Sequence, residues 1–213
     1  MSVQKHQHFG SVDRASLVDS PYIAQIHRKC IPQGFLSLLG TQLLTKLYSF
    51  LSEKEVSLVA RNDNGKIIGF LCASFHPSGL LKRFLICRPS AWPLLCLIII
   101  RNPRLLRGLL ESAKASSKKT TLDPDNSAGE RTEVELLSIA VSECAQQRGV
   151  GSLLLQSFEE HLKSCRVARY RLIAGQNLVS ANRFYKKNGF RVCGCVEIHR
   201  GEKSTIYTKD ISR

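Results

Sequence analysis

Val134–Gly151 reads VELLSIAVSECAQQRGVG, and the interpretation of this stretch decides the architecture. Val134 to Val141 is dense in β-branched and apolar residues, which predicts a strand. Val150, Leu154, Phe158 and Leu162 recur four residues apart, with Leu153 and Leu155 widening the stripe. That spacing predicts a helix opened by Gln146-Gln147-Arg148-Gly149-Val150-Gly151. The turn between them lies at a helix N-terminus, where backbone N–H groups lack intrahelical acceptors and the helix dipole favours negative charge. Glycine lets such a backbone approach a ligand closely, so the turn is a candidate phosphate seat. The same residues also suit a plain strand-to-helix connection. A GxGxxG dinucleotide loop is excluded because Leu154 stands where the third glycine belongs, and no GKS or GKT marks a triphosphate loop.

Gln146-x-x-Gly149-x-Gly151 after a strand resembles the acetyl-CoA signature of the GNAT superfamily of N-acetyltransferases. A second block, Asn177-Leu-Val-Ser-Ala181-Asn-Arg-Phe184-Tyr185-Lys-Lys-Asn-Gly189-Phe190, is similar to that family's N-x-x-A-x-x-F/L-Y-x-x-x-G-F. Together the blocks cover Val134 to Phe190. The resemblance implies an α/β fold of the α+β type, the GNAT fold. Its central sheet is mixed, mostly antiparallel, splayed at the cofactor site and flanked by helices, here with an insertion before the central strand. It implies acetyl-CoA as co-substrate, no metal, and a single domain over residues 1–213. Cofactor contacts are expected from Ile139, Ala140, Val141, Gln146, Gln147, Arg148, Gly149, Val150, Gly151, Ser152, Asn177 and Tyr185. Asn177 lies four residues before Ala181 where the family has three, which leaves Asn182 as its rival.

The composition, 43% hydrophobic and 23% charged, is that of a globular chain. Thirty-one basic against 17 acidic residues give a net charge of +14, which favours anionic partners. Nucleic acid, anionic lipid and a phosphorylated cofactor or substrate all fit. Eight cysteines show no CxxC pair and no Cys/His zinc spacing, which suits inert thiols in a reducing cytoplasm. MSVQKHQHFG contains no apolar h-region, so no signal peptide is expected.

Along the rest of the chain, Ser11 to Val18 is read as holding a first strand. Asp19-Ser20-Pro21 marks a helix start, with Ile23, Ile26 and Cys30 at helical spacing and Pro32 and Gly34 interrupting. A second helix is expected over Thr41–Ser52. Val56–Arg61, the turn Asn62-Asp63-Asn64-Gly65 and Ile67–Phe75 read as a hairpin. Residues 78–131 form an insertion. Within it Leu94–Ile100 is apolar but too short to span a bilayer, and Arg101, Arg104 and Arg107 follow among leucines. The segment 92–110 could cover a cleft, contact a subunit or rest on a membrane surface. Lys114–Glu130 reads as a loop. Tyr170–Ala174 is expected as a strand and Ser180–Asn188 as a helix, with Ser180 as N-cap and Gly189 as C-terminal cap. Arg191–Arg200 and Ser204–Ile211 are expected to pair through Gly201.

Acetyl transfer to an amine calls for a proton acceptor, an oxyanion donor and a proton donor. The resemblance places the acceptor on the central strand, at Glu135 or at Glu133 two residues earlier. It makes the Ile139 amide the oxyanion donor and the Tyr185 hydroxyl the donor to the leaving sulfur. It also implies that the central strand parts from the strand at Tyr170 and that Ile139–Val141 pair with the pantetheine arm. His27, with Ile31-Pro32-x-Gly34-Phe35-Leu36-Ser37-x-Leu39-Gly40, is similar to bacterial GNAT members tied to amino-sugar or surface-polysaccharide modification. Three functions are therefore compatible with the chain: small-amine N-acetylation, protein N-acetylation, and non-catalytic acyl-CoA or nucleic-acid binding.

Overall fold

The computed structural model describes residues 9–32, 35–101, 134–199 and 202–211. The chain divides into two compact units, Met1–Cys72 with Ser138–His161 and Ala73–Leu137 with Leu162–Arg213. Among the described residues the strands are ordered β1-β2-β3-β4-β5-β7-β6 in a seven-stranded sheet.

The first unit contains β1 (Phe9–Arg14), α1 (Ser20–Cys30), α2 (Gly40–Lys54), β2 (Val56–Asn62) and most of β3 (Ile67–Ser74). It also holds the second half of β4 (Val134–Val141) and most of α5 (Val150–Ser164). β1 runs antiparallel to β2. The first strand thus ends at Arg14, short of the expected Val18, because Leu17–Asp19 turns as a single 3-10 turn into α1. Asp19 organises that turn. Its Oδ2 accepts from the Ser16 N–H at 2.9 Å and the Ser16 hydroxyl at 2.8 Å, and Arg61 Nη2 donates to its Oδ1 at 2.9 Å. Burial alone would raise the Asp19 carboxyl, but the hydrogen bonds from Ser16 and Arg61 win and hold it below its ordinary value. The hairpin forms as expected, with Gly65 at φ +72° in the turn. At Gly69, an added Cβ would lie 3.1 Å from the Ala140 carbonyl and 3.3 Å from Leu154 Cδ1. A glycine is what lets α5 and β4 approach β3 this closely.

The second unit contains α3 (Leu80–Cys87), α4 (Trp92–Arg101), the start of β4, β5 (Arg169–Gly175), α6 (Val179–Lys187), β6 (Arg191–His199) and β7 (Glu202–Asp210). β4 pairs with β5 in parallel over Val134–Leu136 and Tyr170–Leu172. β5 and β6 each pair antiparallel with β7. Helix α6 starts at Val179 with Leu178 before it, so Ser180 is not the N-cap but already helical. Its end matches expectation: Gly189 sits at φ +83° and the Phe190 N–H donates to the Tyr185 carbonyl at 3.1 Å. Glu133, residues 102–131 with the 114–130 loop, and Gly201 lie outside the described residues.

Candidate active site

In the first unit the site is built by the end of β4, the turn after it and the entrance to α5. The Ser142 N–H donates to the Ile68 carbonyl of β3 at 2.8 Å. Backbone groups alternate sides along a strand. Those of Ile139 and Val141 therefore point to the side of β4 away from β3. The Val141 carbonyl is held there, by Gln146 Nε2 at 3.0 Å and by the Cys30 thiol at 3.4 Å. Gln146, expected as a cofactor contact, thus uses its side-chain amide to fix the turn onto the strand that precedes it.

Gln147 at φ +61° and Gly149 at φ +83° put two left-handed residues within three positions. Gln146, Gln147, Arg148 and Gly149 are all exposed, whereas Val150, Leu154, Leu155 and Phe158 are buried and anchor the helix. The first bond of α5 runs from the Leu153 N–H to the Gly149 carbonyl at 3.0 Å. The amides of Val150, Gly151 and Ser152 precede it and have no acceptor within the helix. A Cβ built on Gly149 meets nothing within 4 Å, so the turn is unobstructed at that position. A diphosphate fits this donor set by charge and by access.

Behind β4 lies a cluster that periodicity did not reveal. His27, 3% exposed, has its Nδ1 2.6 Å from Tyr48 Oη and 3.5 Å from Ser138 Oγ, and its ring stacks on Phe70. Its Nε2 is buried with no hydrogen-bond partner. Burial pushes the imidazole down to about 4, so it is neutral at physiological pH. Ser138, one residue before the expected oxyanion donor, carried no signal in the sequence because a lone serine in an apolar strand has no pattern.

In the second unit, Glu135 and Arg171 form a buried ion pair. Arg171 Nη2 and Nε lie 3.0 and 3.1 Å from Glu135 Oε2. Tyr185 is 8% exposed, with its ring edge-on to Phe184 and Phe190 and tilted against Tyr207. Burial, with a smaller contribution from Tyr207, pushes its hydroxyl up to about 12. Asn182 Nδ2 donates to the Gly175 carbonyl at 2.9 Å, and its Oδ1 accepts from the Tyr207 hydroxyl at 2.9 Å. This asparagine ties α6 to the ends of β5 and β7, while Asn177 is exposed. Among the described residues no group of three or more His, Cys, Asp or Glu is gathered as a metal site would require.

Residues 119–192 match the family model described as an acetyltransferase (GNAT) domain. The fold resembles a GNAT-family acetyltransferase from Bacillus cereus at 16% identity and TM-score 0.57, covering 95% of this chain and 98% of that one. It also resembles Ard1 from Thermoplasma volcanium at 17% identity and TM-score 0.56, with the same two coverages of 95% and 98%. A third similar structure is the Escherichia coli enzyme that acetylates an alanine of a ribosomal protein, at 16% identity and TM-score 0.54, covering 95% and 94% of the two chains. No curated protein matches the chain in sequence. The match over residues 119–192 and these likenesses give the chain a GNAT-type fold.

Proposed function

We propose that this chain transfers an acetyl group from acetyl-CoA to a primary amine of a small molecule, with an amino sugar or sugar nucleotide as the acceptor class. The observation that carries the reading is the helix entrance, where the amides of Val150, Gly151 and Ser152 precede the first helical bond beside an unobstructed glycine at φ +83°. These amides, with Gly149 and the exposed Arg148 and Gln147, would hold the cofactor's diphosphate. Bound acetyl-CoA supplies the activated thioester. The chain supplies orientation and charge stabilisation. On the side of β4 away from β3, the backbone of Ile139 is placed to donate to developing negative charge on a carbonyl oxygen. Ala140 lies between Ile139 and Val141 on the same strand and completes the edge along which the pantetheine arm would lie.

Tyr185 is assigned the proton-donor part. With its hydroxyl at about 12 it stays protonated throughout the working range. A free thiol titrates near ~8.5, so complete transfer to a thiolate is uphill by about 5 kcal/mol. Tyr185 Oη therefore acts by donating a hydrogen bond to the leaving sulfur. Glu135 is assigned a positioning part, because Arg171 already holds its Oε2, and the proton lost by the attacking amine passes through solvent to the departing thiolate. Exposed Asn177 is a cofactor contact in this reading, and Asn182 is structural. The charge of +14 suits a phosphorylated acceptor, and the similarity of residues 27–40 to polysaccharide-associated members supports the amino-sugar class. Eight free thiols suit a cytoplasmic setting.

Calorimetry with acetyl-CoA, followed by free-thiol release against a panel of amino sugars, sugar nucleotides and peptides, tests the reading. Saturable binding and turnover with the sugars are expected. No binding heat removes the enzyme, and turnover with peptides alone moves the acceptor class to proteins.

A further inference from the structure

Helix α4 is apolar all round. Its ten residues are WPLLCLIIIR, and a helix of that kind is ordinarily enclosed by protein or by hydrocarbon. Here only one side is enclosed. Leu95 is buried at 7% exposure, whereas Trp92 is 51%, Leu97 45% and Ile100 77% exposed. Pro93 and Cys96 are exposed as well, so positions 92, 93, 96, 97 and 100 form one face at helical spacing. In α3, Ile86 adds a further exposed side chain at 67%. The two helices meet at a bend of 100° and together reach the length and apolarity of a broken or re-entrant span, although no single described helix could cross a bilayer.

Charge selects the occupant. Across α3, α4 and the turn between them, residues 80–101, there is no acidic residue, while Lys82, Arg83 and Arg88 are basic. Lys82 is exposed four residues before Ile86 on α3, and Arg83 Nη2 donates to the His76 carbonyl. A second copy of the chain suits this face poorly. A two-fold contact would bring like charges together. A ten-residue helix is also only about 15 Å long, and a single strip of that length falls well short of the roughly 800 Å² per partner of a stable interface. Insertion into a bilayer interface needs no such area, because a few large apolar side chains and a basic flank suffice.

We propose that α3 and α4 dock on an anionic lipid surface, with Trp92, Leu97 and Ile100 entering the interfacial layer and the basic residues of α3 and the turn after it meeting lipid phosphates. Docking here is independent of the acyl-transfer reading. It would hold the protein at a membrane whatever its acceptor.

Trp92 is the chain's only tryptophan, so its emission reports this face alone. The full chain is titrated with vesicles of phosphatidylcholine mixed with phosphatidylglycerol, and with pure phosphatidylcholine. A blue shift and quenching by brominated lipid are expected with the mixed vesicles. Leu97→Ser combined with Ile100→Ser should weaken that binding at least roughly tenfold, judged by flotation, with the circular dichroism unchanged. Flotation with unshifted Trp92 emission would mean adsorption through some other basic surface and would overturn the proposal. A blue shift that grows with protein concentration alone, alongside a dimer in sedimentation, would give the face to a second copy and overturn it too. Equal flotation of the parent and the double variant would do the same.

Discussion

Arg171 Nη2 lies 3.0 Å from Glu135 Oε2, and both side chains are almost wholly buried where β4 and β5 pair in parallel. Removing one partner of a buried pair leaves the other charge uncompensated. Glu135→Met is expected to lower unfolding free energy by about 3–5 kcal/mol in urea titration, and Glu135→Met with Arg171→Met to recover most of it. If Glu135 were instead the proton acceptor, the double variant would recover its stability and still show no turnover. The paired measurements distinguish the two roles.

Gly149 and Gly65 share a conformation, φ +83° and +72°, and neither has an atom within 4 Å of a built Cβ. Valine at either place carries a similar backbone strain of about 1–2 kcal/mol. Only Gly149→Val should lower acetyl-CoA affinity, at least roughly tenfold or about 1.4 kcal/mol by calorimetry. Gly65→Val serves as the matched control. Equal affinity in both variants would refute the diphosphate seat.

Tyr185→Phe is expected to reduce kcat about a hundredfold, at the lower end of what a positioned acid contributes, with the acetyl-CoA dissociation constant little changed. Because the hydroxyl is held up to about 12, the parent should show no alkaline limb from Tyr185 across the ordinary assay range. Undiminished turnover in the variant would remove the tyrosine from the reaction.

His27 links pH to stability. Its imidazole titrates at about 4 when folded and near its ordinary 6.5 when unfolded, so as pH falls through 6.5 the unfolded chain takes up the proton first. Stability present above pH 6.5 is lost down to pH 4, about 3 kcal/mol from this one group. Urea midpoints measured from pH 7 to 4 should fall more steeply for the parent than for His27→Asn, whose amide can still meet Tyr48. Parallel slopes would show that another group governs acid lability.

The elements written by local pattern were legible from sequence. β4 has the expected limits, since apolar alternation and β-branching are properties of the strand itself. Gly149 and Gly189 declare their left-handed backbone because few other residues adopt it cheaply. Pairings set by distant chain were not legible. Arg171 is 36 residues from Glu135, and nothing near either residue announces the other. His27, Tyr48 and Ser138 meet only once α1, α2 and β4 pack, and each is unremarkable in its own neighbourhood. Ser180 misled because a serine near a helix start is a cap only when its backbone is still extended, and the turn begins one residue earlier. α4 showed its apolarity in the sequence, but which of its faces stays uncovered depends on packing.

β7 pairs along both its flanks, with β5 on one side and β6 on the other. During synthesis β5 and β6 leave the ribosome before β7, when β5 has only β4 to pair with and β6 has no partner strand. The backbone of β5 at Arg169–Gly175 remains an unclaimed edge until Glu202–Asp210 arrives. Pairing in this half therefore waits on β7, which closes two gaps in the sheet at once.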